Sequence, residues 1–193
     1  MVITKERITK ETSIKLSVDR GLQASTIDTG VGFLDHMLDL LAFHGHFVFD
    51  IKVDGDLDVD DHHTTEDVGI LLGQAIAELN INKNTIQRYG HAYVPMDETL
   101  ARSVTDVSGR PYLHFEAEFS REKVGTFDVE LVKEFFYALV INARLTVHMD
   151  LIRGGNTHHE VEALFKAFAQ SLRHALSDSQ VDRLPSSKGV IEE

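Results

Sequence analysis

Apolar residues along this chain switch repeatedly between a period of two and a period of three to four. Ile14, Leu16 and Val18 alternate with polar neighbours, and Phe47, Phe49, Ile51 and Val53 recur at every second position, which predicts half-buried strands. Between them Phe33, Leu34, Met37, Leu38 and Leu41 form the apolar stripe of a helix that packs on a sheet. Past an aspartate-rich stretch from Asp54 to Asp61, the positions Val68, Leu71, Leu72, Ala75, Ile76 and Leu79 predict a second helix. The first half reads strand, helix, strand, helix.

The second half repeats that order. Leu100 to Val107 and Tyr112 to Phe119 read as strands, Val129 to Ile141 as a helix, Leu145 to Leu151 as a strand and Val161 to Leu176 as a helix. Three offsets support an internal duplication. His62-His63-x-x-Glu66 and His158-His159-x-x-Glu162 lie 96 positions apart, each at the start of a long helix. His36 precedes the first doublet by 26 positions and Glu134 the second by 24, each in the preceding amphipathic helix. The run Lys10 to Asp19 echoes Asp97 to Asp106 and aligns Glu11 with Glu98. The predicted fold is mixed α/β (α+β), with duplicated halves, sheets packed on helices and a pseudo-twofold axis. No Pro/Gly/Ser-rich linker divides the halves, so one domain is expected over residues 1–193, with repeats at about 2–88 and 90–177 and a C-terminal arm at 178–193. Within that arm Ser186, Ser187, Lys188 and Gly189 have the composition of a small anion-binding turn or of a solvated loop.

Composition narrows the chemistry. A formal charge of −12 repels nucleic acid and anionic membranes alike. With no cysteine, disulfides and thiolate ligands are both excluded, leaving imidazole and carboxylate as metal donors. The first residues hold no apolar signal segment, and no run of 18 apolar residues occurs, so a cytoplasmic protein is expected.

Histidine is abundant, with 11 in 193 residues, and four of them form the two doublets. On a helix, residues i and i+3 or i+4 share a face, so Glu66 can converge with His62 or His63, and Glu162 with His158 or His159. Adjacent helical side chains point about 100° apart, so each doublet should serve two metals rather than one. A single doublet would read as a polar helix start; two copies in a duplicated frame read as metal binding. Nitrogen and oxygen donors suit Mn, Fe, Zn, Ni or Co, and a six-coordinate site with room for substrate favours Mn. The acidic run Asp56, Asp58, Asp60 and Asp61 reads as a solvated turn, or as acceptors that orient the imidazoles. The isolated His44, His46, His91, His114, His148 and His174 read as surface or hydrogen-bonded core groups.

Five segments carry a resemblance: GFLDHMLDLLAFHG from Gly32, DDHHTTEDVG from Asp60, SGRPYL from Ser108, NTHHEVEALFKAF from Asn156 and PSSKGV from Pro185. In content and order they closely resemble the imidazoleglycerol-phosphate dehydratase family of histidine biosynthesis, over nearly the whole chain. The resemblance implies two Mn²⁺ ions per active site, held at positions matching His36, His62, His63, Glu66, His158, His159 and Glu162. An eighth ligand matches Glu134, where many relatives carry histidine. It implies loss of water from a glycerol phosphate bearing an imidazole, giving imidazole-acetol phosphate. The ring, held as imidazolate by two metals, can expel the hydroxyl through a diazafulvene-like intermediate that makes the neighbouring proton acidic. Glu11 matches the acid/base. Arg88, Arg110, Lys166, Ser186, Ser187 and Lys188 match substrate contacts, and relatives assemble as homo-oligomers, trimers that associate into an octahedral shell.

Two rivals use the same ligands. A dinuclear metallohydrolase or phosphatase would activate water for in-line attack, although such sites are usually rich in bridging aspartates. A non-enzymatic metal-binding module would need neither Glu11 nor a phosphate pocket.

Overall fold

The structure, a computed structural model, describes residues 2–79, 85–179, 184–187 and 191. The first half runs β1 (Ile3–Ile8), β2 (Thr12–Arg20), β3 (Thr26–Asp28), α1 (Gly32–Gly45), β4 (Phe47–Gly55) and α2 (His62–Leu79). The second runs β5 (Tyr89–Met96), β6 (Thr99–Asp106), β7 (Tyr112–Glu116), a small hairpin β8 (Lys123–Val124) and β9 (Phe127–Asp128), α3 (Glu130–Ala143), β10 (Thr146–Arg153) and α4 (Thr157–Ala175).

The two principal sheets share one connectivity. Their strand orders are β1-β2-β4-β3 and β5-β6-β10-β7. In each, an antiparallel hairpin leads the half, its second strand pairs antiparallel with the strand that follows the first helix, and the remaining strand joins that one in parallel. Alternation decides which face is buried: Ile14, Leu16, Val18, Phe49 and Ile51 are covered while Lys15, Ser17 and Lys52 face outward. Helices α1 and α2 pack on the first sheet, and α3 and α4 on the second. Across the halves α2 packs on α3 and α1 on α4, the pairing that exchange of the two halves would require. The helices therefore lie between the sheets, with an aromatic cluster at the centre, where Phe136 sits 4.6 Å from Phe165 and 5.3 Å from Phe168 between ring centroids.

The halves match in detail as well. Helix α1 ends at His46 and α3 at Arg144, both with left-handed backbone, φ 57° and 55°, and each cap N–H returns to carbonyls of the last turn.

Five strands escaped the pattern of apolar positions. Strand β1 buries Ile3 at one end but leaves Ile8 exposed, so no alternation marks it. Strand β5 buries Gly90, Ala92 and Val94, residues too small to register as an apolar stripe. A Cβ at Gly90 would lie 1.9 Å from the Ser171 carbonyl oxygen, so smallness there lets β5 approach α4. Strand β3 and the β8–β9 hairpin are too short to carry a period. The strand expected to reach Phe119 ends at Glu116.

Candidate metal centre

Both doublets open a helix. At α4, the Asn156 side chain accepts hydrogen bonds from the backbone N–H groups of His158 and His159, which fixes both in the first turn. At α2, Asp60 Oδ1 accepts from the His62 N–H at 2.8 Å.

From there the two doublets behave alike. The first histidine faces the glutamate four positions on: His158 Nε2 lies 3.3 Å from Glu162 Oε1, and His62 Nε2 3.9 Å from Glu66 Oε2. The second turns away, with ring planes crossed at 88° in one doublet and 79° in the other. Each second histidine meets a carboxylate from the hairpin turn of its own half. His159 Nδ1 is 3.2 Å from Glu98 Oε2, and His63 Nε2 is 3.8 Å from Glu11 Oε1. The divergence predicted from 3.6 residues per turn is thus the observed geometry.

Neighbouring groups hold these side chains in place. Asp67, buried in α2, accepts from Thr12 Oγ1 at 2.5 Å and from Arg7 Nε at 2.9 Å, pinning the β1–β2 hairpin that presents Glu11. Asp56 Oδ2 lies 2.9 Å from His63 Nδ1 and its hydrogen bond raises the pKa of that imidazole. Of the acidic run, Asp58 is exposed, but Asp56 orients a ring. Glu98 accepts from the Asn156 N–H at 2.8 Å, and backbone hydrogen bonds hold its carboxyl below the usual range. Asp56 thus takes the second of the two readings given to the acidic run, an acceptor that orients an imidazole, whereas Glu98 was not singled out from sequence as a site residue, although its internal alignment with Glu11 pointed there.

Helix α1 adds His36, whose Nε2 is 2.7 Å from Glu162 Oε1. His36, His158 and Glu162 offer ligand atoms within 4.8 Å of one another. Glu162 is buried; burial opposes its ionisation, but hydrogen bonds from Lys166 and His36 outweigh that and hold its carboxyl below the usual range. Lys166 Nζ takes the other oxygen, Oε2, at 2.8 Å. Two imidazoles and an ionised carboxylate without sulfur fit a borderline divalent ion. Glu134, half-buried on α3, meets neither His62 nor Glu66, and no hydrogen bond or ion pair engages it among the described residues. No hydrogen bond, ion pair or ring contact among the described residues joins the group at α2 to the group at α4.

A basic corner forms elsewhere. Arg88 Nε donates to Asp106 Oδ1 at 2.8 Å, its Nη1 to the Pro185 carbonyl at 2.7 Å, and Arg110 Nη2 lies 4.0 Å from Asp106 Oδ2. This brings Arg88, Arg110 and the segment carrying Ser186 and Ser187 to one place, whereas Lys166 sits with Glu162. Lys188 lies outside the described residues.

The family model described as imidazoleglycerol-phosphate dehydratase matches residues 29–172. The chain belongs to this family. It is 65% identical to the imidazoleglycerol-phosphate dehydratase of Staphylococcus carnosus and 59% identical to that of Staphylococcus aureus, in both cases across the full length of each chain. A crystal structure of the Staphylococcus aureus protein superposes with a TM-score of 0.86 at 55% identity, covering 93% of this chain and all of that one. The family member from Pyrococcus furiosus superposes at 0.83 with 37% identity, covering 96% of this chain and 99% of the other. The doubled His-His-x-x-Glu helices therefore belong to a family fold that is shared even with a relative identical at only 37% of positions.

Proposed function

We propose that this chain is a hydro-lyase that removes water from imidazoleglycerol phosphate to give imidazole-acetol phosphate. The observation that carries this is the doubled arrangement in which one histidine of each pair faces its own helix glutamate and the other faces a hairpin carboxylate. Two ligand directions at each helix start suit a substrate ring that must be gripped at both nitrogens.

His36, His62, His63, Glu66, Glu134, His158, His159 and Glu162 would hold two divalent ions, for which we propose Mn²⁺. When bound, such ions supply charge stabilisation that lets the substrate imidazole lose a proton and push out the neighbouring hydroxyl. The protein's own groups do the rest. Glu11, presented by a hairpin pinned to α2 through Thr12 and Asp67, takes the proton from the carbon next to the one that loses its hydroxyl, leaving an enol that becomes the ketone when the ring-attached carbon is protonated. Asp56 fixes which nitrogen of His63 faces outward. Arg88 and Arg110, with Ser186, Ser187 and Lys188, bind the phosphate; Arg88 is already oriented by Asp106, so less side-chain entropy is lost on binding. Lys166 holds Glu162 ionised and at hand for substrate.

Because no contact among the described residues of one chain links the two histidine groups, we place complete centres between copies, in trimers that associate into an octahedral shell. The unit is one domain of two repeats with a C-terminal arm. No helix among the described residues is long and apolar enough to cross a membrane, and we assign the enzyme to the cytoplasm, where its substrate would be made.

Incubation with imidazoleglycerol phosphate and Mn²⁺, followed by ultraviolet detection of the enolised ketone, tests the reading. Product is expected. Release of inorganic phosphate without ketone would assign a hydrolase instead, and metal binding with no turnover a non-enzymatic module.

A further inference from the structure

A third group with metal-ligand spacing lies on the outer face of the second sheet, away from both doublets. Strand pairing assembles it. Parallel register sets His148 beside His114 and Asp150 beside Glu116, while antiparallel register sets Asp150 beside Arg102. Residues two apart in a strand share a face, so His114, Glu116, His148 and Asp150 stand together.

Their polar atoms converge. His114 Nε2 is 3.4 Å from Glu116 Oε2 and 3.9 Å from Asp150 Oδ1, and the three ligand atoms lie within 4.8 Å of one another. Arg102 approaches only the other oxygen of Asp150, Oδ2, at 3.0 Å from Nε and 2.9 Å from Nη2. That fork holds the carboxylate still and leaves Oδ1 turned toward His114. The His148 ring lies beside the His114 ring, 5.4 Å between centroids.

Metal–ligand lengths near 2.0–2.2 Å in a tetrahedron separate the donors by about 3.4 Å, so the spacing here needs little closure to take an ion. The duplicated frame does not impose the donor set: on the outer face of the first sheet, at the matching parallel pair of strands, Asp28 and Lys52 form an ordinary ion pair. Only the second sheet carries imidazole with two carboxylates at that place.

We propose that His114, Glu116 and Asp150, with His148 as the adjacent fourth donor, form a separate site for a borderline divalent ion of the Zn²⁺ class. One or two imidazoles favour Zn²⁺, Ni²⁺ or Cu²⁺ over Mg²⁺ and Ca²⁺, which prefer all-oxygen sites. Asp150 is the donor held in place by Arg102, and the exposed Glu116 carboxylate is free to close on the ion. The site stands whether or not the enzymatic assignment holds, since it shares no residue with the doublets.

The assembled, Mn²⁺-loaded protein is crystallised, exposed to Zn²⁺, and measured on both sides of the zinc absorption edge. A zinc-specific peak between His114 and Asp150 is expected; its absence in wild type, when other zinc peaks are present, overturns the proposal. In solution, equilibrium dialysis should find one further Zn²⁺ per subunit beyond the uptake of His114→Ala, with His114→Gln behaving like the alanine variant and the dehydration rate unchanged. Equal Zn²⁺ uptake by wild type and both variants overturns it.

Discussion

His36 Nε2 and Glu162 Oε1 meet at 2.7 Å although 126 positions separate them, because α1 of one half packs on α4 of the other. Under the proposed assignment an ion held by this pair would tie the two halves together, and ions completed by a neighbouring copy would tie subunits together as well. Stripping the protein with a chelator is expected to abolish dehydration, and Mn²⁺ to restore it. The stripped protein should also fall into smaller particles by light scattering. Full turnover in metal-free protein would remove the metals from the mechanism, and an unchanged particle would remove them from the interfaces.

Glu11 is held at a hairpin turn, 3.8 Å from His63. Glu11→Gln keeps size and hydrogen bonding but cannot accept a proton. A loss in kcat of about 10²-fold or more is expected, with both metals retained. Loss of metal instead, measured by elemental analysis, would make Glu11 a ligand and reassign the base.

Asp56 contacts His63 through the nitrogen that points away from Glu11. Asp56→Asn should preserve the fold and lower the Mn²⁺ affinity by about 10- to 100-fold, the usual effect of losing a partner that orients a ligating imidazole. Titration of bound Mn²⁺ at limiting metal reads this directly, and an unchanged curve would leave Asp56 a structural acid.

Among the described residues, Glu134 is the one proposed ligand without a polar contact. If a neighbouring copy completes its site, Glu134→Ala should lower metal occupancy at one of two centres, and Glu134→His should retain activity, since imidazole and carboxylate suit the same ions. Undiminished Mn²⁺ per subunit in the alanine variant, with normal turnover, would strike Glu134 from the ligand set.

Gly73 separates sequence propensity from packing. In an exposed helix, Gly→Ala stabilises by about 1 kcal/mol. Here an added Cβ would lie 2.4 Å from the Leu139 carbonyl oxygen, where α2 crosses α3. Gly73→Ala is therefore expected to destabilise by about 1–3 kcal/mol through overpacking, read as a lower denaturant midpoint. A raised midpoint would mean that the helices can separate without cost.

Elements with strong periodicity were legible because burial selects apolar residues at a fixed spacing. Phe47, Phe49, Ile51 and Val53 announce β4, and Leu34, Met37, Leu38 and Leu41 announce α1. Strands β1 and β5 were not, because one is largely polar and the other buries small residues, and hydrogen bonding to a neighbouring strand rather than side-chain pattern makes them strands.

The sequence alone determined the doubled halves, the paired His-His-x-x-Glu motifs and the divergence of each doublet, since these follow from repetition and from helical geometry over a few residues. Beyond the helix glutamate four positions on, which partners each histidine meets was decided by tertiary packing. The approach of Glu162 to His36, of Asp56 to His63 and of Glu98 to His159 depends on helices and turns brought together by burying a common core, and apolar burial carries no record in the sequence of which polar side chains it will set side by side.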